Sequence, residues 1–354
     1  MSTLPKRVFT RRRLLNTGVT AALVLPGLAG TLKAQGREVV LYNWDSYIDP
    51  ETIPAFQEAT GIRVRYDLFA SNDELFAKLR AGNPGYDVVF PSNDWVARMI
   101  AADMLMPLDH DRIPNLANIM PRFMDPRHDP GREHSVPYFW GTVGLGYRKS
   151  VASPTSWGAI YTDETHAGRI AVQREIDTLL AGLKYLGYSI NTTDAEEIEA
   201  GVELLLQAKP RFKTFAPDTG QDLLLSQEVD LALEYNGDVL QVMQEDDDLS
   251  YVVPDEGTIL WEDDMVIPRG APNVEEAHAF IDYVHDAENN ARITEWVMYP
   301  TPNAAAKALL PQEIIDNPAI FPPDAVLDRS EFALYQGEEI QQMRNDAMTR
   351  VLAG

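Results

Sequence analysis

The chain has 354 residues, 45% hydrophobic and 24% charged, with 22 Gly and 24 Pro. That is an ordered composition and long enough for two domains. Acids outnumber Lys and Arg by 54 to 30, a formal net charge of −24, which argues against binding nucleic-acid phosphates or an anionic membrane surface. The absence of cysteine excludes a disulfide framework, a thiol nucleophile, an iron–sulfur cluster, any Cys-based zinc site and a lipidated N-terminal Cys.

The chain opens on Thr10-Arg11-Arg12-Arg13-Leu14-Leu15, a twin-arginine pattern. An apolar stretch from Val19 to about Leu28 follows, then small residues ending near Ala34. A basic region, a short apolar core and a small-residue exit predict a signal peptide over residues 1–34, cleaved near Ala34. The apolar run is too short to span a bilayer, for which ~20 residues are needed. Cleavage removes six basic residues and leaves 24 basic against 54 acidic, a formal −30. No later segment has the ~18 consecutive apolar residues of a membrane helix, so the exported chain is expected in the periplasm.

Glu38–Tyr42 reads as a short apolar strand. Asp49-Pro50 is placed to start a helix and Gly61 to stop it. Ile62, Val64, Tyr66 and Leu68 alternate as a strand, and Ser71 with Glu74 has capping-box spacing for the next helix. Val88–Phe90 is a buried strand broken at Pro91, with a helix from about Asp94. This alternation predicts a doubly wound α/β sheet, whose ligands bind beyond the carboxyl ends of the strands. Those ends are Asn43–Tyr47 and Pro91–Asp94.

A second α/β block runs from about Tyr147 to Leu260. Its expected strands are 169–172, 213–215, 230–235 and 251–253, and its expected helices 178–186 and 194–206. Asn236-Gly237 has the composition of a turn. Met265–Ile267 is one more apolar strand, helices follow at 274–286 and 289–296, and residues 331–352 are expected to be helical. Two α/β blocks with no Pro- or Ser-rich linker predict two lobes joined by crossing strands near 141–146 and 261–264, with a cleft between them. The expected division is 38–142 plus 263–304 for the first lobe and 143–262 plus 305–354 for the second.

Catalytic patterns are poor. There is no G-x-S-x-G, no Walker A loop and no H-E-x-x-H. His278 and His285 lie seven apart on an expected helix without a ligand motif around them, and the acidic run 245–248 reads most simply as a solvated loop. No cofactor, metal or catalysis is expected. What stands out is aromatic residues beside acids at strand ends: Trp44-Asp45-Ser46-Tyr47, Asp94-Trp95, Glu234-Tyr235, Trp261-Glu262-Asp263-Asp264, and Tyr299. An organic cation with a methylene chain needs this composition, because carboxylates pair with its ammonium groups and aromatic faces cover its chain.

These motifs carry a family resemblance. Tyr42-Asn43-Trp44 with Tyr47, then Tyr86–Ser92, Val136-Pro137-Tyr138 with Trp140-Gly141, Thr155-Ser156-Trp157, Leu186–Ser189 with Asn191–Asp194, Trp261 with Asp263, and Tyr299–Asn303 occur in that order. Together they resemble the periplasmic spermidine/putrescine-binding proteins of polyamine ABC importers. The resemblance implies a type II periplasmic-binding-protein fold, two α/β lobes closing by a hinge on a polyamine, and delivery to an inner-membrane permease by a monomer. It also implies that Trp44, Tyr47, Trp261 and Tyr235 are aromatic walls, that Ser92 and Tyr299 give hydroxyl contacts, and that Asp263 and Asp177 hold ammonium groups. Departures from the pattern are Arg174 where the family has a second amine-binding Asp (a two-residue shift would match it to an Arg-Glu pair instead), Asp94 at a usual Tyr position and Ala333 at a usual Gln position. If Arg174 faces the cleft, it suits a carboxylate, and a zwitterion such as a γ-amino acid becomes the rival ligand. A glycoside hydrolase using two cleft acids is the alternative from another class.

Overall fold

The computed structural model describes residues 36–217 and 219–354. The twin-arginine pattern and the cleavage site near Ala34 lie outside the described residues.

The apolar run β1 (Glu38–Asn43) pairs in parallel with β2 (Arg63–Leu68) and with β3 (Val88–Val89). The helix Thr52–Thr60 connects β1 to β2 and ends at Gly61, whose φ of 69° is the left-handed cap that favours glycine. The helix Asn72–Arg80 connects β2 to β3, and the Ser71 hydroxyl accepts from the Glu74 N–H as the capping spacing predicted. The first helix differs at its start: it begins at Thr52, and Asp49 instead receives the Thr52 hydroxyl and the Arg292 guanidinium. The helix Asn93–Ala101 follows β3.

The next strand, β4 (Ser135–Arg148), is 14 residues long and buried at all but one of them. It is followed by β5 (Ile170–Gln173), β6 (Phe212–Ala216), β7 (Leu231–Tyr235), β8 (Leu249–Val252), β9 (Ile259–Val266) and β10 (Glu331–Phe332). The strand order is β2-β1-β3-β9-β4-β7-β5-β6, with β10 beside β9 and β8 beside β4. The long strand β4 changes partner along its length. Ser135–Thr142 runs antiparallel to β9, while Val143–Arg148 pairs with β7 and β8. One apolar cluster gathers around Leu41, Phe56, Tyr138 and Phe280, and a second around Leu145, Trp157, Leu183 and Leu205.

Three sequence expectations are corrected. Residues 331–352 are not one helix: Glu331 is held by Lys184 at 2.8 Å and by the Ser189 hydroxyl, so the segment runs beside β9 as a strand, and the last helix begins at Glu338. Asn236-Gly237 is not a turn but the start of the helix Asn236–Val242, where the Asn236 amide donates to the Ala319 carbonyl. The acidic run is not merely solvated, since Asp246 and Asp248 grip Arg148 at 2.9 and 3.1 Å and tie down the end of β4. Among the described residues no helix is long and apolar enough to cross a membrane.

Candidate functional site

The strand β9 alternates, so Trp261 and Asp263 point to one face and Glu262 and Asp264 to the other. Asp263 is opposed by Ser92, at the start of the helix Asn93–Ala101. The Ser92 hydroxyl donates to Asp263 Oδ1 at 2.7 Å. Ser92 is itself fixed by Asn72, which accepts from its N–H at 3.1 Å and donates to its Oγ at 3.0 Å. Burial pushes the Asp263 carboxyl up to about 7, against the lowering effect of Ser92 and Tyr47. The Tyr47 hydroxyl is buried beside it and is pushed up by that burial and by the Asp263 charge.

Asp177 opens the helix Asp177–Tyr185 and accepts a 3.0 Å hydrogen bond from the Tyr235 hydroxyl at the end of β7. Burial pushes it up to about 7. Asp94 lies in the first turn of its helix, and burial pushes it up to about 6. The Asp94 charge raises both Asp177 and Asp263 further. Among the described residues no Lys, Arg or His makes an ion pair with any of the three. Arg344 and His128 lower Asp94 only through space, so none of the three carboxylates is ion-paired within the described residues, an arrangement that suits a cationic ligand.

Aromatic rings line this group. Tyr235 meets Trp261 at 5.8 Å, Trp261 meets Tyr299 at 4.9 Å, and Tyr299 meets Tyr47 at 5.5 Å, each pair edge to face. Two glycines make room for them. A Cβ at Gly141 would fall 2.4 Å from the Trp261 ring, and one at Gly237 would fall 2.5 Å from the Tyr299 ring. Glycine at position 237 is therefore a packing requirement, which the turn reading missed. Trp44 is half-buried, packs on Phe69 at 4.4 Å and donates its indole N–H to the Phe90 carbonyl.

The row thus brings together Tyr47, Ser92, Asp94, Asp177, Tyr235, Trp261, Asp263 and Tyr299. Asp45 and Arg174 are exposed, and no described side-chain contact joins either to this group. Arg174 donates its backbone N–H to the Ala216 carbonyl at the end of β6.

On the other face of β9, buried Arg132 donates to Glu262 and to Asp264, each at 2.6 Å. His128 lies 2.9 Å from Asp264 and 3.5 Å from Glu262. Burial alone would lower the His128 pKa, but the two carboxylates outweigh it and raise it. Glu262, Asp264 and His128 are close enough together to hold a metal ion, but the Arg132 guanidinium already occupies both carboxylates. Sequence reading missed Arg132. The only signal was the acid alternation in β9, which puts two carboxylates on the side away from the ligand and so demands a buried cation there. His278 and His285 do not form a ligand pair: His278 is spent on the Val274 carbonyl and the Asp109 N–H, while buried His285 is pushed down to about 3.

Comparison with known proteins identifies the family and the fold. The chain matches the bacterial extracellular solute-binding protein family over residues 51–322. It is 34% identical to a putrescine-binding periplasmic protein of Pseudomonas aeruginosa, covering 93% of this chain and 95% of that one. It is 31% identical to a putrescine-binding periplasmic protein of Escherichia coli, covering 96% and 97%. Among solved structures, a spermidine/putrescine ABC transporter substrate-binding protein from Streptococcus pneumoniae, in complex with calcium and HEPES, superposes with a TM-score of 0.82 at 33% identity, covering 90% of this chain and 99% of that one. A putative spermidine/putrescine ABC transporter from Listeria monocytogenes gives 0.84 at 34% identity, covering 89% and 99%. The fold is that of the periplasmic binding proteins, and the chain belongs to the bacterial extracellular solute-binding protein family.

Proposed function

We propose that this chain is the solute-binding component of an ABC importer, that it holds a polyamine of the putrescine/spermidine class, and that it delivers this ligand to a membrane permease. The observation that carries the reading is the set Asp94, Asp177 and Asp263: three largely buried carboxylates, none ion-paired within the protein, beside a row of aromatic rings. Ammonium groups neutralise such carboxylates, and ring faces cover the methylenes between them. Trp44, Tyr47, Tyr235 and Trp261 act as walls, and Ser92 and Tyr299 as hydroxyl contacts. The similar putrescine-binding proteins support the same ligand class.

The protein works as a monomer of two lobes, 38–142 plus 263–304 and 143–262 plus 305–354, closing by a hinge. In support, β4 changes partners between Thr142 and Val143, and the two main apolar clusters lie on opposite sides of that change. The chain acts in the periplasm after folded export by Arg11 and Arg12. Replacing both with Lys should retain precursor in the cytoplasm, and normal export of that variant would refute this step.

A thermal-shift screen tests the ligand class. Putrescine, cadaverine and spermidine should each raise the melting temperature more than γ-aminobutyric acid does, and a chromogenic glycoside should not be turned over. A larger shift with the zwitterion would place Arg174 in the site and overturn the polyamine reading.

A further inference from the structure

Two serines precede helices at the Asp263 end of the site, and they use their hydroxyls differently. The Ser71 hydroxyl accepts from the Glu74 N–H at 3.2 Å, and the Glu74 carboxylate accepts from the Ala70 N–H at 3.0 Å, so the start of the helix Asn72–Arg80 is fixed from both sides. Ser92 also has the extended backbone of a cap, with φ −73° and ψ 157°, ahead of the helix Asn93–Ala101, yet its hydroxyl makes no bond to that helix. It donates to Asp263 Oδ1 at 2.7 Å instead. A local rule obeyed at Ser71 is thus set aside at the residue that touches the site carboxylate.

The difference lies in Asn72, the first residue of its helix, which is half-buried and meets Ser92 twice. The Ser92 N–H reaches Asn72 Oδ1 at 3.1 Å, and Asn72 Nδ2 reaches Ser92 Oγ at 3.0 Å. The first contact dictates the second. A backbone N–H needs an acceptor, so the amide oxygen is turned to it and the amide nitrogen to the hydroxyl. That nitrogen only donates, so Ser92 Oγ accepts there, and the single serine proton goes to Asp263. The backbone keeps these atoms in place, since the Asp264 N–H donates to the Pro91 carbonyl at 2.9 Å and Ser92 opposes Asp263 in an antiparallel bridge.

We propose that Asn72 is a positioning residue of the binding site, which holds Ser92 so that its proton is given to Asp263 and its oxygen is left to accept from the ligand. The inference rests on the polyamine reading above. Ser92 has one lone pair left after Asn72 takes the other, and Asp263 is an acceptor when ionised. The two side chains together therefore complement an ammonium group, which brings several N–H donors and no acceptor. Without Asn72 the hydroxyl is free to rotate and to cap its own helix, as Ser71 does, and Asp263 loses a charge-assisted hydrogen bond.

The test is calorimetry with putrescine and spermidine on the unmodified exported chain, on Asn72→Ala, on Ser92→Ala and on the double variant. Asn72→Ala and Ser92→Ala should each weaken the tighter ligand by about tenfold. Because Asn72 acts through Ser92, adding Asn72→Ala to Ser92→Ala should cost less than about twofold more. A residue that merely supports the loop would lower affinity by the same factor in either background. Asn72→Ser, which has one polar atom in place of two, should behave as Asn72→Ala does and serves if the alanine variant fails to fold, with the ligand-free melting temperature as the check. A loss under about twofold in the folded Asn72 variants, or losses that multiply in the double variant, would overturn the role of Asn72 and leave the polyamine reading standing. Failure of the unmodified protein to bind either amine would overturn both.

Discussion

Ser92 donates its hydroxyl to Asp263 at 2.7 Å, and this contact joins the start of one helix to the middle of β9. Ser92 is held in turn by Asn72, so the Asp263 carboxylate is oriented by the protein itself. Asp263 faces the site with Trp261, two residues away on the same face of the strand.

Asp263→Asn keeps the shape and removes the charge. An ammonium group left without its ion partner in a desolvated site costs ~2–5 kcal/mol, or roughly 30- to 5,000-fold in affinity. A solvated surface acid would change binding by less than ~1 kcal/mol. Calorimetry with the tightest polyamine separates the two. A loss under about threefold in a folded variant removes Asp263 from the site.

Proton release on binding follows from the same carboxyls. Asp177 and Asp263 are pushed up to about 7 and Asp94 to about 6, all by burial. Their folded pKa values exceed the unfolded ones, so the ligand-free protein binds more protons than the unfolded chain between about pH 4 and pH 7. The stability they contribute is full below that window and is lost as pH rises through 6 to 7. A polycation reverses this by favouring the ionised forms. Affinity should therefore fall by more than about tenfold from pH 8 to pH 5. Calorimetry near pH 6.5 in buffers of different ionisation enthalpy should detect protons leaving the protein. Affinity constant over that range, with no proton exchange, would mean the carboxyls are already ionised.

Much of this arrangement is legible in sequence, and the gaps have physical causes. The parallel start of the sheet follows from alternation and capping, because β1, β2 and the Ser71 cap depend on residues close in the chain. The aromatic–acid groups at strand ends were visible for the same reason. What local pattern misses is set by distant contacts. Glu331 is extended because Lys184 and Ser189 hold it, and position 237 is glycine because the Tyr299 ring leaves no room for a Cβ, not because the chain turns there. Arg132 is 130 residues from Glu262 and carries no motif, so its role emerges only when β4 and β9 are paired.

Arg132 supplies a stability prediction. It is fully buried, and its guanidinium spans Glu262 and Asp264 at 2.6 Å each. Arg132→Met fills much of the volume but leaves two buried carboxylates facing each other and His128 alone. Removing one partner of a buried ion pair typically costs ~3–5 kcal/mol. Chemical denaturation should show a loss of that order, and Arg132→Lys should recover only part of it, since a single ammonium cannot fork between two acids. A variant within about 1 kcal/mol of the parent would show that the acids neutralise themselves by taking up protons.

Closure of the proposed lobes should be read most directly at Arg98 and Glu338. Arg98 belongs to the helix Asn93–Ala101 and Glu338 begins the last helix, so the two fall on opposite lobes of the proposed division. Their fork is bidentate, at 2.7 and 2.9 Å, and the Tyr335 hydroxyl donates to the same carboxylate at 3.0 Å. The Arg98 guanidinium also lies over the Phe76 ring at 4.4 Å and the Trp95 ring at 4.8 Å, which holds its fork in place. Opening a hinge would part this pair, whereas the contacts of Ser92 with Asn72 stay within one lobe. Because Glu338 is largely exposed, water screens the interaction, and its contribution is ~0.2–1 kcal/mol. Glu338→Gln should therefore speed ligand release by about 1.4- to 5-fold, with little change in the association rate. The effect should shrink in high salt, as expected for an exposed ion pair. Stopped-flow tryptophan fluorescence measures the release rate, and small-angle scattering should show a smaller radius of gyration with saturating polyamine in both proteins. An unchanged release rate, or a radius that ligand does not alter, would mean that Arg98 and Glu338 stay together throughout the binding cycle.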